Sequence, residues 1–335
     1  MSFLPQQESS PVVIVYHYPC PDGAFAALAA HLYFNKIESQ EQEVSFVPQP
    51  VYQTLDVNNP VFKSNTHVYM VDYFCGKAVL DALCSKVHHV MMLDHHKTAW
   101  EDIESLVQEN KVPHNFQYKF EKSMSGATVA YQFFDQKLHT TQGVHLIEDE
   151  EQRNYIQDND IWTKALPRTE GFQRGLELLE LEYSTLKNDK IFETLLSLDV
   201  SELQDKGDKQ LETDDRIINQ RLDQSFKIVL GGSENKEKFG EALAVHIPSE
   251  ERILLSKIGN RLSIKSRQQG LRGAAAVICE EPNMKDWETK YKISLRSLDQ
   301  EDISIIAKTF GGGGHLNAAS FILDRKTFND EWTCK

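Results

Sequence analysis

Three short apolar runs, each closing on polar residues that a buried strand cannot use for packing, constrain this chain most. They are PVVIVYHY (11–18), THVYMVDYF (66–74) and HHVMMLDHH (88–96). Each reads as a buried strand, because apolar and β-branched residues are packed into a stretch too short for a helix. DGAFAALAAHLYFNK (22–36) and GKAVLDALCSKV (76–87) fall between them and read as helices, and EVSFVPQPVY (43–52) as a further short strand. Strands alternating with helices imply an α/β fold built on a mostly parallel sheet with helices on both faces. Ligands in such sheets bind beyond the carboxyl ends of the strands. His17, Asp72 and Asp94-His95-His96 fall at those ends, and Asp22 lies in the turn after the first strand. Imidazoles and carboxylates in a row are costly to desolvate, and they suit a cation or a phosphate.

From residue 125 to about 228 helices dominate, and the charged stretch 201–226 carries apolar residues at helical spacing. Strands and helices then alternate again through ALAVHI, GAAAVICEE, KYKISLRS and DISIIAKTF. The expected division is a catalytic domain over 1–200, a linker helix over 201–228 and a smaller α/β domain over 229–335. At 335 residues the chain is long enough for two cores.

The formal charge is −14. Proteins that wrap long nucleic acid are usually basic, so a short oligonucleotide or a nucleotide is favoured over long duplex DNA. No apolar run approaches the roughly 20 residues that span a bilayer, so no membrane is expected as a partner. The opening MSFLPQQESS has neither a basic n-region nor an apolar h-region, which predicts a cytoplasmic protein. Cys20, Cys75, Cys84, Cys279 and Cys334 are odd in number and scattered, as reduced thiols are.

Asp22, Asp72, His95 and one further acid could converge on hard divalent cations, Mn²⁺ or Mg²⁺ in preference to structural zinc. Two such ions about 3.5–4 Å apart clamp a phosphate and bring the pKa of water down towards roughly 7. YIQDNDIW (155–162) supplies the further acid, Asp158 or Asp160. GGGGHLNAA (311–319) reads as a glycine loop followed by a helix-like stretch, with His315 inside it and Arg296 before it. Glycines let backbone N–H groups approach a phosphate, and a helix start favours an anion. His88 and His89 read as surface or structural residues.

Asp94-His95-His96 after an apolar strand, Asp22-Gly23 upstream and Gly312-Gly313-Gly314-His315 near the end resemble the DHH phosphoesterases that carry a DHHA1 domain. SGATVAYQFF, YIQDNDIW and ISLRS resemble further segments of that family, so the likeness runs over nearly the whole chain. It implies a DHH domain, a DHHA1 domain and an active site in the cleft. It also implies a two-manganese centre that hydrolyses phosphodiester or phosphoanhydride bonds. By resemblance Asp72 bridges the metals, and Asp22, His95 and Asp158 (Asp160 as second choice) bind one ion. His17 binds the other ion and His96 faces the substrate phosphate. Arg296, Gly312, Gly313, Gly314 and His315 hold a terminal nucleotide or phosphate. Cys20 stands where the family's first motif carries an aspartate, and thiolate is the softer ligand. The expected activity is therefore metal-dependent hydrolysis of short oligonucleotides or small nucleotides. The alternatives are a pyrophosphatase or exopolyphosphatase, and a nucleotide- or RNA-binding protein with a degenerate metal centre.

Overall fold

The computed structural model describes residues 10–36, 43–50, 53–146, 150–280, 286–299 and 301–334. The opening segment, read above as carrying no export signal, lies outside the described residues apart from Ser10. The chain divides into two compact units, Met1–Gln210 and Leu211–Lys335.

The first unit runs β1 (Val12–Tyr18), α1 (Pro21–Lys36), β2 (Val44–Pro50), β3 (His67–Val71), α2 (Lys77–Lys86) and β4 (His89–Asp94). It continues with α3 (Lys97–Gln108), β5 (Phe116–Phe120), α4 (Gly126–Gln142), α5 (Glu150–Asp160), α6 (Thr169–Leu178) and α7 (Ile191–Leu196). The five strands pair in parallel in the order β2-β1-β3-β4-β5. Successive side chains on β1 enter opposite layers: Val12, Ile14 and Tyr16 pack with α1 and α4, and Val13 and Val15 with α2 and α3. A strand buried on both faces reads as an unbroken apolar run, which is why these strands are visible in the sequence. Helix α1 is apolar all round, and Ala24 to Ala30 are all buried. Pro48 and Pro50 are tolerated in β2 because it is an edge strand, where a missing N–H costs no ladder bond. The α/β class expected from the sequence is the one observed. Strand β5, FQYKF, was not anticipated: it is the other edge, and its Gln117 and Tyr118 are exposed.

Helix α8 (Val200–Asp223) contains the division between the units. Val200 and Leu203 join the first core and Ile218 joins the second. Between Leu203 and Ile217 the helix adds no residue to either apolar cluster.

The second unit contains β6 (Phe226–Val229), the single turn α9 (Lys236–Phe239), β7 (Glu241–Ile247), α10 (Leu255–Gln268), β8 (Ala274–Cys279) and β9 (Lys290–Ser297). It ends with α11 (Ser304–Thr309), β10 (Gly313–His315) and β11 (Ala318–Asp324), ahead of short C-terminal turns. Its six strands lie in the order β10-β11-β9-β8-β7-β6, antiparallel except for β7 with β8. Ile258 and Leu262 of α10 cover Val245 and Val277 on one face. Ile303, Ile306, Phe328 and Trp332 cover Ala276, Ile293 and Phe321 on the other.

The helix expected after the glycines is absent. Gly313–His315 pairs antiparallel with Ala318–Ser320, so the glycines open a hairpin. Ala319, Phe321 and Leu323 are buried in alternation, a period of two that a helix cannot present. Gly312 has a packing reason to lack a side chain, because a Cβ there would lie 2.1 Å from the Ser320 carbonyl oxygen.

Candidate metal centre

The strand order 2-1-3-4-5 reverses direction between β1 and β3, which is where ligands bind in open parallel sheets. His17 is near the end of β1, Asp72 follows β3, and Asp94, His95 and His96 end β4. Asp72 has a left-handed backbone with φ 53°. Such strain in a non-glycine residue clusters at functional sites. Its N–H donates to the Leu93 carbonyl at 2.9 Å, which fixes the turn.

The Asp72 carboxylate is 2% exposed as a residue and its oxygens look in different directions. Oδ2 faces His17 Nδ1 at 3.4 Å, and Oδ1 faces His95 Nε2 at 3.3 Å and His96 Nδ1 at 3.6 Å. His95 Nε2 also lies 3.7 Å from Asp22 Oδ2 and 3.5 Å from Asp160 Oδ2. The donors form two triads, His17 with Cys20 and Asp72, and Asp22 with His95 and Asp160, and a group of four, Asp72 with Asp94, His95 and His96. Asp72 Oδ1 faces His95 in the second triad.

Five atoms here are buried yet make no protein hydrogen bond: His17 Nδ1, both Asp72 oxygens, His95 Nε2 and Asp160 Oδ2. Leaving one such group unsatisfied costs about 1–3 kcal/mol, so five in one place imply a missing partner they share. Carboxylate oxygens with imidazole nitrogens are the donor set of a hard or borderline divalent cation. The residues present fit such an ion. Electrostatics agree: burial would raise the Asp72 pKa, but His17, His95 and His96 hold it down at about 2. Burial, with Asp72 and Asp160 close by, pushes the Asp22 carboxyl well up. Burial also raises Asp160, with Asp72 adding to it. Cationic charge would relieve that crowding of carboxylates.

The surroundings hold these donors in place. Asp22 Oδ2 accepts from Gly126 N at 2.6 Å and Oδ1 from Ala127 N at 3.1 Å, both at the start of α4. The dipole there favours the anion. Gly126 passes so close to Asp72 that an added Cβ would lie 2.4 Å from its Cβ and from Oδ1. Asp94 Oδ1 accepts from the backbone N–H groups of His95 at 2.7 Å and His96 at 3.0 Å. The same oxygen lies 2.8 Å from His96 Nδ1. A carboxylate can only accept, so Nδ1 carries the proton. That bond raises the His96 pKa to about 9 and leaves its half-exposed outer edge free to donate. Burial, followed by Asp72 and Asp22, pushes the Cys20 thiol far up, so without a cation it stays protonated.

Asp158, first choice for the further acid, points elsewhere. Its Oδ1 accepts from Thr163 Oγ1 and from Ala165 N at 2.7 Å, and its Oδ2 from Leu166 N at 3.2 Å and from Thr169 Oγ1. Its lone pairs are spent on the segment after α5, whereas Asp160, two residues on, faces His95. A helix turns about 100° per residue, so Asp-Asn-Asp puts its two acids on opposed faces and only one can reach the centre. Ser125 and Gly126 were not singled out from the sequence as site residues. The only signal was Ser125 before Gly126-Ala127, a helix start within hydrogen-bonding reach of an acid.

A cavity of about 550 Å³ opens beside Asp72, Asp94 and His96, walled in part by Phe74, Val79 and Ala99. In the second unit a separate cavity of about 350 Å³ is lined by Arg252, Lys292, Arg296, Gly313 and Gly314 among others. Arg296 donates to the Leu295 carbonyl at 2.8 Å and to Ser256 Oγ at 3.0 Å. Gly312 and His315 are outside this lining, and His315 is exposed.

No family model matches the chain. It is 28% identical over 314 residues to uncharacterized protein R106 of Acanthamoeba polyphaga mimivirus, covering 92% of this chain and 66% of that protein. The chain thus spans just under two thirds of that relative's length. Among solved structures it is similar to an exopolyphosphatase-related protein from Bacteroides fragilis, with a TM-score of 0.44 and 13% identity over 94% of this chain and 87% of that one. It is also similar to PggH, a pGpG-specific phosphodiesterase from Vibrio cholerae, with a TM-score of 0.44 and 12% identity over 96% and 95% of the two chains. Among the described residues no helix is long and apolar enough to cross a membrane.

Proposed function

We propose that this chain is a metal-dependent phosphoesterase that hydrolyses phosphodiester bonds of short oligonucleotides or small nucleotides, using two divalent ions, Mn²⁺ foremost and Mg²⁺ as the alternative. The observation that carries the reading is the divided carboxylate of Asp72, with one orphaned oxygen turned to His17 and the other to His95. On this reading His17 and Asp72 hold one ion, with Cys20 beside them, and Asp22, Asp72, His95 and Asp160 hold the other. Ions held there supply Lewis acidity and make hydroxide available near neutral pH.

The remaining chemistry belongs to the chain. His96, fixed through Nδ1 by Asp94, turns its other N–H towards the adjoining cavity. There it donates to a non-bridging phosphate oxygen, where negative charge grows in the transition state. Because Asp94 already holds Nδ1 in place, the imidazolium needs no reorganisation as that charge forms. The cavity is of the size that takes one nucleotide-sized group. The net charge of −14 opposes long polyanions and leaves short substrates. In the second unit, Arg296 with Gly313 and Gly314 suits a terminal phosphate. Gly312 and His315 are not among the residues that line that cavity.

The test is hydrolysis of a dinucleotide, of pyrophosphate and of a single-stranded 20-mer, each with Mn²⁺ or Mg²⁺ and each repeated after chelation. The reading expects dinucleotide hydrolysis that chelation abolishes and Asp72→Asn removes. Preference for pyrophosphate would move the assignment to a pyrophosphatase, and hydrolysis that survives chelation would end the metal reading.

A further inference from the structure

The segment after α5 holds a feature that the metal centre does not use. Trp162 is 77% exposed. A ring of this size is normally largely buried, because it carries so much apolar area. Its backbone is left-handed with φ 58°, and Lys164 at 48° and Arg168 at 61° are left-handed too. Bulky residues avoid that region, and strain of this kind persists only where the surroundings enforce it. Here the enforcing group is Asp158. It is 4% exposed, and four donors from Thr163, Ala165, Leu166 and Thr169 converge on its carboxylate. The Trp162 N–H also donates to the Asn159 carbonyl at 3.3 Å. A well-anchored, strained segment thus holds an indole out in water.

Its position and its neighbour suggest the purpose. Trp162 follows Asp160 by two residues, so its Cα is within about 7 Å of the backbone that brings Asp160 to His95. The Lys164 ammonium lies 4.9 Å from the indole centroid and 3.0 Å from Glu170 Oε1, which covers one face of the ring and leaves the other open. A flat apolar face on the segment that directly follows Asp160, with a cation next to it, has the chemistry of a stacking platform for nucleic-acid bases.

We propose that Trp162 stacks on a base of the substrate next to the scissile phosphate, and that Asp158 is the positioning residue that holds it there. This deepens the phosphoesterase reading and rests on it. Stacking is tolerant of base identity, since every base has a π-face, so the platform selects for the presence of a base over a bare sugar phosphate.

The experiment compares wild type, Trp162→Ala and Trp162→Phe on a dinucleotide and on the same dinucleotide with either base replaced by hydrogen. Trp162→Ala should raise KM for the intact dinucleotide about 5- to 100-fold, the range that loss of one stacked base gives. Its kcat should stay within about twofold, since no transition-state contact is lost. Trp162→Phe should recover most of the loss. When the stacked base is the one removed, wild type and Trp162→Ala should have equal KM. Independently of activity, a nucleoside monophosphate added to metal-free wild type should quench tryptophan emission and ribose 5-phosphate should not, with the quench missing in Trp162→Phe. An unchanged KM in Trp162→Ala, or equal losses on intact and both abasic substrates, overturns the platform while leaving the hydrolase reading standing. A base-dependent quench without hydrolysis under any divalent ion supports the platform and removes the hydrolase reading.

Discussion

Gly126→Ala adds one methyl group and should remove activity from a folded protein. The new Cβ would lie 2.4 Å from Asp72 Cβ and Oδ1 and 2.6 Å from Cγ. Ordinary contact needs roughly 3.4 Å or more, so Asp72 or the start of α4 must move by about 1 Å. Both directions damage the centre. If Asp72 moves, its two oxygens no longer face His17 and His95 together. If α4 moves, the Gly126 and Ala127 N–H groups leave Asp22, to which they donate at 2.6 and 3.1 Å. Overpacking typically costs about 1–3 kcal/mol, partly offset by alanine's helix preference over glycine of about 1 kcal/mol. A unit of this size should therefore lose at most about 8 °C in Tm and stay folded at 25 °C. A misplacement of about 1 Å at a reacting centre can cost 10²-fold in rate. The assay pairs thermal unfolding with metal-titrated turnover of a dinucleotide. A folded variant with kcat/KM down at least about 50-fold is expected. Wild-type turnover and metal dependence in Gly126→Ala would refute the account of how Asp72 is held.

Further outcomes follow from the same geometry. Asp72→Asn should lower turnover by about 10³-fold or more, since a charge that faces both triads is lost, and metal-titrated kinetics check it. Cys20→Asp should keep or raise Mn²⁺-dependent activity and lower the Mn²⁺ concentration for half-maximal rate, because carboxylate is the harder ligand. If Cys20→Ala titrates like wild type, the thiol ligates nothing. Asp158→Ala should destabilise the first unit by about 1–3 kcal/mol, as buried donors lose their acceptor. It should also raise KM more than it lowers kcat, which separates positioning from metal binding. The Asp94 hydrogen bond holds the His96 pKa at about 9, above the unfolded value near 6.5. Its stabilising contribution is therefore full below about pH 6.5 and lost as pH rises through about 9. Denaturant titrations of chelated protein at pH 6 and pH 10 should show that difference in wild type and less of it in Asp94→Asn.

The fold of the first unit was legible because its strands are buried on both faces. Val12 to Tyr16, Val68 to Val71 and Val90 to Leu93 are near-continuous apolar runs, and their polar ends mark one sheet edge. The sequence shows less where period and surface disagree. Strand β5 is an edge strand of only five residues, and FQYKF, although it alternates apolar and polar residues, lacks the long apolar run of the central strands. The stretch after the glycines has small residues, Asn317, Ala318, Ala319 and Ser320, that suit a helix until Phe321 and Leu323 set a period of two. The choice between Asp158 and Asp160 depends on helix phase against a distant His95, which residue type alone does not encode. The supports of the centre were harder still. Gly126 acts through the absence of a side chain, and Asp94 through three hydrogen bonds to one oxygen.

The measurement closest to the central claim is anomalous diffraction at the manganese edge from crystals grown with Mn²⁺. The account predicts two peaks about 3.5–4 Å apart, with Asp72 between them. One should be contacted by His17 and the other by Asp22, His95 and Asp160, with none at Asp158. Absence of manganese from this cluster, or a single ion that leaves either Asp72 oxygen without a metal, would contradict the two-metal centre.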